Sequence, residues 1–502
     1  VFRPLARIAL GWYYRSVEAV GLDRIPTSGP VFLAGNHPNA LMDALVIGVL
    51  VPRPVRLLAK STLFTNPITG ALLRAAGVIP LHRANDLAQT DAGRVDPSRN
   101  AAAFRAVADA LADGGAVVIF PEGISHDAPQ LAPLRTGLAR MALEARDVHG
   151  VKAITIVPVG LVFEAKEAPR SRVLLQVGDA INLDTLSESD STVAALTGAI
   201  DQRLRAVTLN FRSEEDATRM MSLAQSLFAL FTPVARIGAE ADSLADVVQL
   251  VQRINRAASR ITGEFTVMHE AGYHNEAVAR EVNDIVEGPS AASLPLENKQ
   301  TPRSTTAYRI GSRDVALTTR MQAFEKRLSA LNMQLAREEL AIEDIQIDPG
   351  SAAGTRFAWR EGALALLRGP IGLWGRINHW VPITLTRTMA LRGVKSLDQP
   401  AMRSVVFGLV LVLGFYAVQT GLVAWLAGTW WALAYALSLV PSASSDFRFG
   451  DRTRRARERM RAYFRFRRDT KLQRTLRAEA EWLREEALAL EHALHEGETV
   501  PR

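Results

Sequence analysis

Residues 404–442 carry no charged side chain, and no other feature restricts so strongly what this chain can fold into. One helix crossing a bilayer needs about 20 apolar residues, and this run is roughly twice that length. Gln419, Thr420 and Gly421 fall near its middle, so it reads as two short helices joined by a tight turn, a transmembrane hairpin. Trp425, Trp430, Trp431 and Tyr435 suit anchors at the membrane interface. Arg387, Arg392, Lys395 and Arg403 precede the run, and Arg448, Arg452, Arg454, Arg455, Arg457, Arg459 and Arg461 follow it. Basic flanks stay cytoplasmic, so two of them imply an even number of crossings, an inner or cytoplasmic membrane location, and a cytoplasmic side for the rest of the chain. The alternative is a helical hairpin buried in a soluble domain.

The remainder divides by texture. Residues 1–20 read as an amphipathic helix, with Phe2, Leu5, Ile8, Ala9 and Trp12 at helical spacing and arginines between them. Such a helix lies in a membrane interface or packs on a domain surface. Arg3, Arg7 and Arg15 interrupt its apolar run, which argues against a secretory signal. Residues 21–212 alternate short apolar runs with helical patterns. The runs are Val31–Ala34, Val55–Ala59, Val78–Leu81, Ala116–Phe120, Ile154–Val159 and Val173–Val177. Uninterrupted apolar strands are covered on both faces, the mark of an α/β domain with a mostly parallel sheet flanked by helices. Residues 213–347 form a helical region with candidate helices at 215–236, 242–262, 275–287 and 314–343, and with an exposed Ser/Pro/Thr-rich loop at 288–306. Residues 348–403 are a membrane-proximal segment in which 370–385 is apolar but broken by Pro and Gly, and so lies at the interface or re-enters. Residues 443–502 are a basic segment followed by a charged helix. In that helix Leu476, Ala480, Leu483, Ala487, Leu490 and Leu494 form a coiled-coil-like seam, for packing on the chain itself or on a second copy in a homo-oligomer.

The formal net charge is +7, and there is no cysteine. A basic balance suits nucleic acid, an anionic membrane surface or an anionic substrate. Because the arginines of 448–468 directly follow the apolar run, contact with anionic headgroups is the simpler reading, and no nucleic acid is expected. Without cysteine there is no disulfide, no thiolate metal site and no cysteine nucleophile.

Four short segments carry chemistry. His37 follows the strand 31–34, with Asp43 six positions on, in Gly35-Asn36-His37-Pro38-Asn39-Ala40-Leu41-Met42-Asp43. Ligand sites of open α/β sheets form at strand ends, and a His with a nearby carboxylate is the minimal general-base pair. Phe120-Pro121-Glu122-Gly123 follows the strand 116–119, and Leu134-Arg135-Thr136-Gly137 places a cation at the start of a helical run. Gly77-Val78-Ile79-Pro80-Leu81-His82-Arg83 sets Arg83 beyond a strand, and Ile156-Val157-Pro158-Val159-Gly160 is a strand ending in Pro and Gly. Each alone also reads as ordinary strand-end turn chemistry.

Together and in this order the segments resemble the glycerolipid acyltransferase superfamily, which includes the glycerol-3-phosphate, dihydroxyacetone-phosphate and lysophosphatidic acid acyltransferases. The resemblance covers about 25–210. It implies that His37 is the catalytic base and Asp43 its orienting partner. It implies that Arg83, Glu122, Gly123 and Arg135 bind the acceptor and its phosphate, and that Pro121 and Pro158 serve acyl-donor binding or packing. The family's commonest first motif has four residues between His and Asp. Here there are five, a form similar to larger bacterial members and the fungal type, and with His37 in a loop and Asp43 on the next helix the extra residue can be absorbed before that helix starts. The long extension and apolar hairpin also resemble those members in layout. The implied reaction moves a fatty acyl group from acyl-CoA or acyl-carrier protein to a hydroxyl of a phosphate-bearing glycerol acceptor. It involves no acyl-enzyme, metal or redox cofactor, and the oxyanion is expected to be held by backbone N–H groups near His37.

Other motifs lead elsewhere or nowhere. His269 and His274 are spaced i and i+5, which puts them on different helix faces and argues against a metal site. Gly123-Ile124-Ser125-His126-Asp127 lacks the closing Gly of a hydrolase elbow, and there is no P-loop or dinucleotide fingerprint. The rival functions are an acyltransferase for another lysolipid or an aminolipid, a non-catalytic membrane scaffold, and a nucleic-acid binder using the basic tail.

Overall fold

The computed structural model describes residues 2–82, 98–231, 243–255, 312–394, 396–397 and 399–498. Arg83, Lys395, the 269–274 segment, the helix expected at 275–287 and the loop at 288–306 lie outside the described residues. The chain forms two compact units, the first comprising Val1–Met221, Gly238–Val248 and Asp348–Arg467.

The first unit holds an eight-stranded sheet: β1 (Ser16–Val20), β2 (Val31–Gly35), β3 (Val55–Lys60), β4 (Ile79–Leu81), β5 (Ala116–Ile119), β6 (Thr155–Phe163), β7 (Arg172–Val177) and β8 (Ile181–Asn182). The order is β1-β7-β6-β2-β5-β3-β4, with β8 beside β6. Pairing is parallel except where β6 meets β7 and β8. Alternation along β2 shows why its run is wholly apolar. Phe32 and Ala34 enter a core with α4 (Ser98–Ala112), α5 (Gly137–Asp147) and α6 (Val193–Val207). Val31 and Leu33 enter a second core with α1 (Phe2–Tyr13) and α2 (Leu41–Leu50). Successive side chains point to opposite faces, so a strand covered on both faces has no place for a polar residue. In sequence, α3 (Pro67–Ala75) lies between β3 and β4.

The expected helix over 1–20 ends at Tyr13, and 16–20 is edge strand β1, in parallel register with β7 from Ser16↔Arg172 to Val20↔Gln176. Leu10 and Tyr13 of α1 are buried, whereas Leu5 and Ile8 remain exposed, so α1 packs on the domain and also presents an apolar edge. Beyond the sheet lie α7 (Glu214–Phe231) and a helix α8 over 244–255. The Glu18 carboxylate caps α8, accepting from the Leu244 and Ala245 N–H groups at 3.1 Å and from the Ser243 hydroxyl at 2.8 Å.

Residues 348–468 depart most from expectation. Ser351–Leu391 is one continuous helix, α10, despite Pro370 and Pro382. A proline inside a helix leaves the carbonyl four residues earlier without its donor. For Pro382 that carbonyl is Asn378 O, and Gln419 Nε2 donates to it at 3.2 Å. Gln419 therefore bridges helices rather than making a turn. The apolar run instead breaks at Gly428, whose φ of +89° suits glycine, between α11 (Gln399–Ala427) and α12 (Thr429–Arg468). Helix α11 is long and apolar enough to cross a membrane, with a mean hydropathy of 2.0. The apolar start of α12 is shorter, with its first charge at Asp446, and it runs without interruption into the basic segment. Trp425 and Trp430 are 81% and 85% exposed on either side of Gly428. Tyr435 is not an anchor of that kind, since its hydroxyl donates to Asn378 Oδ1. The Tyr416 hydroxyl donates to His379 Nε2, whose Nδ1–H donates to Gly375 O. At Gly375 a Cβ would lie 2.1 Å from Ser442 O, so glycine allows α12 to cross α10 closely.

The second unit contains α9 (Ser312–Arg337) and α13 (Thr470–Glu498). The seam residues Leu476, Ala480, Leu483 and Leu490 are buried, as are Phe324, Leu328, Leu331 and Leu335 of α9. Arg327 of α9 bonds Glu479 at 2.7 Å and lies 3.6 Å over the Trp482 ring. At these positions the seam packs within the chain.

Candidate active site

Parallel strands β2 and β5 end side by side, and the segments after them build one site. At Gly35 a Cβ would come within 3.0 Å of the Phe120 ring, so glycine lets the two strand ends approach this closely without displacing that ring. Asn36 extends the pairing with its side chain, donating to Leu161 O at 3.0 Å and accepting from Leu161 N–H at 2.7 Å. His37 follows, its ring stacked on Phe120 with centroids 4.1 Å apart and planes 9° apart. Its Nδ1 is 2.9 Å from Asp43 Oδ2. A carboxylate can only accept here, so Nδ1 carries the proton and Nε2 keeps its lone pair.

Asp43 sits in the first turn of α2 and is fully buried. Burial raises its carboxyl pKa; the bonds from His37 and the Asn39 N–H and the positive charge of Lys166 work in the opposite direction. The additional residue between His37 and Asp43 is taken up in a turn closed by Met42 N–H to Asn39 O at 2.9 Å. Ala40 occupies its first central position with φ 45° and ψ −120°, the conformation of a type II′ turn that ordinarily takes glycine. This turn leads directly into α2 at Leu41, so the fifth residue of the spacing is absorbed at the helix N-terminus.

Glu122 is buried and spends both oxygens on the protein. Oε1 accepts the His37 N–H at 2.7 Å, and Oε2 accepts the Ala132 N–H at 2.8 Å together with His126 Nε2. The Ala128 N–H donates to His126 Nδ1 at 3.1 Å, which places that ring's proton on Nε2, facing Glu122. The carboxylate expected to touch the acceptor therefore holds the His37 loop. Gly123 has φ +76°, and Arg135 extends beside it, with Cγ 3.4 Å from where a Gly123 Cβ would stand. The Arg135 N–H bonds buried Pro121 O at 2.7 Å, while its side chain is exposed and makes no ion pair or hydrogen bond among the described residues. Pro158 lies inside β6, opposite Ala34. Its missing N–H faces the gap between β8 and β7, where its own carbonyl accepts from Gly178 N–H at 2.9 Å. It is a packing residue within the sheet.

Three contributors went unselected in the sequence. Lys166 Nζ donates to Pro38 O at 3.2 Å and His126 O at 3.3 Å, and it pairs with Asp127. Ser125 Oγ accepts the Ala40 N–H at 3.2 Å. Asp127 also accepts the Leu397 N–H at 3.3 Å, just before α11. Partial burial would raise the Asp127 carboxyl, but the hydrogen bonds from Lys166 and Leu397 and the charges of Lys166 and His126 hold it below its usual value. Ser125, His126 and Asp127 stand together in sequence just after Gly123, a polar cluster that could have drawn notice; Lys166 gave no signal. The amides of His37, Asn39 and Ala40, expected as oxyanion donors, are already engaged by Glu122, Asp43 and Ser125.

Residues 16–162 match the family model described as Acyltransferase. A 135-residue stretch is 34% identical to glycerol-3-phosphate O-acyltransferase 2 of Saccharomyces cerevisiae, covering 26% of this chain and 18% of that protein. An uncharacterised acyltransferase of Schizosaccharomyces pombe is 23% identical over 39% of this chain and 41% of its own length. The chain spans less than half the length of the curated relatives it matches. The crystal structure of the 1-acyl-sn-glycerophosphate acyltransferase of Thermotoga maritima aligns with 41% of this chain and 76% of its own, at 18% identity and a TM-score of 0.32.

Proposed function

We propose that this chain, whose residues 16–162 form an acyltransferase domain of the glycerolipid acyltransferase superfamily, moves a fatty acyl group from an acyl thioester to a hydroxyl of glycerol-3-phosphate, dihydroxyacetone phosphate or 1-acylglycerol-3-phosphate at a membrane. The observation that carries this reading is the 2.9 Å pairing of His37 Nδ1 with fully buried Asp43 at the end of β2. His37 Nε2 takes the proton of the acceptor hydroxyl as its oxygen attacks the thioester carbonyl. Asp43 stabilises the imidazolium, as a buried carboxylate does for a catalytic histidine. The C–S bond then breaks, and the thiolate leaves with the proton from His37. Donors other than the three engaged loop amides stabilise the oxyanion. Arg135, exposed, without an ion pair among the described residues and standing just before the N-terminus of α5, suits the acceptor phosphate, since guanidinium and helix amides both favour anions. Arg83 is proposed to join it, on the resemblance of its segment.

Helix α11 and the apolar start of α12 are read as crossing the bilayer and returning, with the exposed tryptophans around Gly428 at the far interface and the catalytic domain and both basic flanks on the cytoplasmic side. The test is acyl transfer from labelled palmitoyl-CoA, or from a carrier-protein thioester, to each acceptor by the detergent-solubilised protein. His37→Ala should lower the rate by about 10²–10⁴-fold, the usual contribution of a general base. Activity that survives the substitution would refute the mechanism, and activity with none of the acceptors would refute the substrate class.

A further inference from the structure

A cavity of about 230 Å³ opens where α10 and α12 meet the loop between β6 and β7. Its wall includes Arg170, Arg376, Trp380, Asp446, Phe447 and Asp451. Two positive and two negative side chains leave it formally neutral, and the pairing between them is incomplete. Arg376 reaches Asp446 Oδ1 at 3.1 Å through both Nε and Nη2. Arg170 Nη2 bonds Asp451 Oδ2. Among the described residues no hydrogen bond uses Nη1 of Arg376, Oδ2 of Asp446 or Oδ1 of Asp451. The cavity thus offers a cationic donor and anionic acceptors at once.

Its other side is apolar. Trp380 is 65% exposed, and exposed Ile377, Val381 and Leu385 continue along α10. Phe447 lies beneath the Arg170 guanidinium at 5.6 Å. The cavity also sits at a boundary, because the uncharged first part of α12, which exposes Trp430, Trp431, Leu433, Leu437 and Val440, gives way to charged residues from Asp446 onward. Its volume falls below the roughly 300–1,000 Å³ of pockets that enclose drug-sized ligands, so it fits a headgroup rather than a whole acyl-CoA.

We propose that this cavity binds the headgroup of a zwitterionic aminophospholipid, with the phosphate on Arg376, the primary ammonium between Asp446 and Asp451, and the acyl chains along the apolar face of α10. A purely anionic headgroup would leave the remaining carboxylate oxygens, Asp446 Oδ2 and Asp451 Oδ1, without a donor, and a headgroup with no charge would supply neither the acceptor that Arg376 Nη1 suits nor the cation that those oxygens suit. The site bears on catalysis through its loop: Arg170 Nη1 donates to the carbonyls of Gly11 and Tyr14 at the end of α1, and Lys166, four residues earlier, holds the His37 loop. A lipid seated here fixes the catalytic domain against the bilayer surface.

This proposal rests on the reading of α11 as a membrane helix, and the experiment separates the two. The full chain is assembled into nanodiscs of mixed phosphatidylethanolamine, phosphatidylcholine and phosphatidylglycerol, re-extracted under limiting detergent, and the co-purifying lipid is identified by mass spectrometry. Failure to enter nanodiscs would sink the membrane reading and this site with it. Entry with selective retention of phosphatidylethanolamine is the expected result. Arg376→Gln should reduce that retention about tenfold, the effect of one charge-assisted hydrogen bond. Asp446→Asn with Asp451→Asn should abolish the preference for the amine while the protein still enters nanodiscs. Equal retention of phosphatidylglycerol, displacement by inorganic phosphate alone, or retention unchanged in Arg376→Gln would each overturn the proposal. Acyl transfer by the variants, at no less than about a third of the wild-type rate in detergent, guards against misfolding.

Discussion

His37 Nδ1 lies 2.9 Å from Asp43 Oδ2 although five residues separate them, and the turn at Ala40 is what closes the distance. The carboxyl in this pair is held above its ordinary pKa by burial. A folded pKa above the unfolded one means that protonation favours the fold. At neutral pH the ionised form therefore opposes folding, and that opposition fades as pH falls through the folded value. Asp43→Asn should reduce kcat/KM by about 10³–10⁴-fold while leaving the neutral-pH melting temperature equal or higher. Any gain in stability should shrink on acidification. A variant less stable than wild type at every pH would contradict this account.

The Ala40 backbone stands where side chains are strained, at a cost of roughly 1–3 kcal/mol. Ala40→Gly removes that strain and loses about 0.5–1 kcal/mol to the greater freedom of the unfolded chain. A net gain of about 1 kcal/mol is expected, with activity retained, whereas Ala40→Val should destabilise. Thermal melts in one detergent would decide it, and a less stable Gly variant would show that the turn is unstrained.

Glu122 grips the His37 main chain, so its loss should disturb the base rather than acceptor binding. Glu122→Gln replaces one acceptor with an amide that meets another donor. The expected outcome is a kcat lowered about 100-fold, the effect of misplacing a catalytic group by an ångström, with acceptor KM within about threefold of wild type. A raised KM with kcat intact would instead put Glu122 on the acceptor.

Much of this was legible beforehand, for physical reasons. Six of the eight strands announce themselves as short, mostly apolar runs, and β2, covered on both faces, is apolar throughout Val31–Ala34. The edge strand β1 is half exposed and mixed in character, and its Glu18 caps a distant helix, so nothing local distinguished it from the end of α1. His37 and Asp43 could be paired because their spacing bridges a strand end and a helix start. The work of Glu122 could not be read, since two of its three donors are backbone amides that leave no mark in a sequence. Continuity of α10 through Pro382 was hidden likewise, because the donor that replaces the missing amide, Gln419, belongs to another helix. The seam of α13 was visible as a pattern, but only the three-dimensional arrangement shows that the chain itself covers it.

The three donors converging on Glu122 have a meaning for how such a site can change over time. Two of them, the amides of His37 and Ala132, are main-chain groups that any residue except proline supplies. The base is therefore braced by atoms that mutation at neighbouring positions scarcely alters. Leu41 and Ile124, which follow His37 and Glu122 in sequence, are exposed and take no part in the brace. A site built this way can explore new acceptors and acyl chains while its proton-transfer geometry stays fixed.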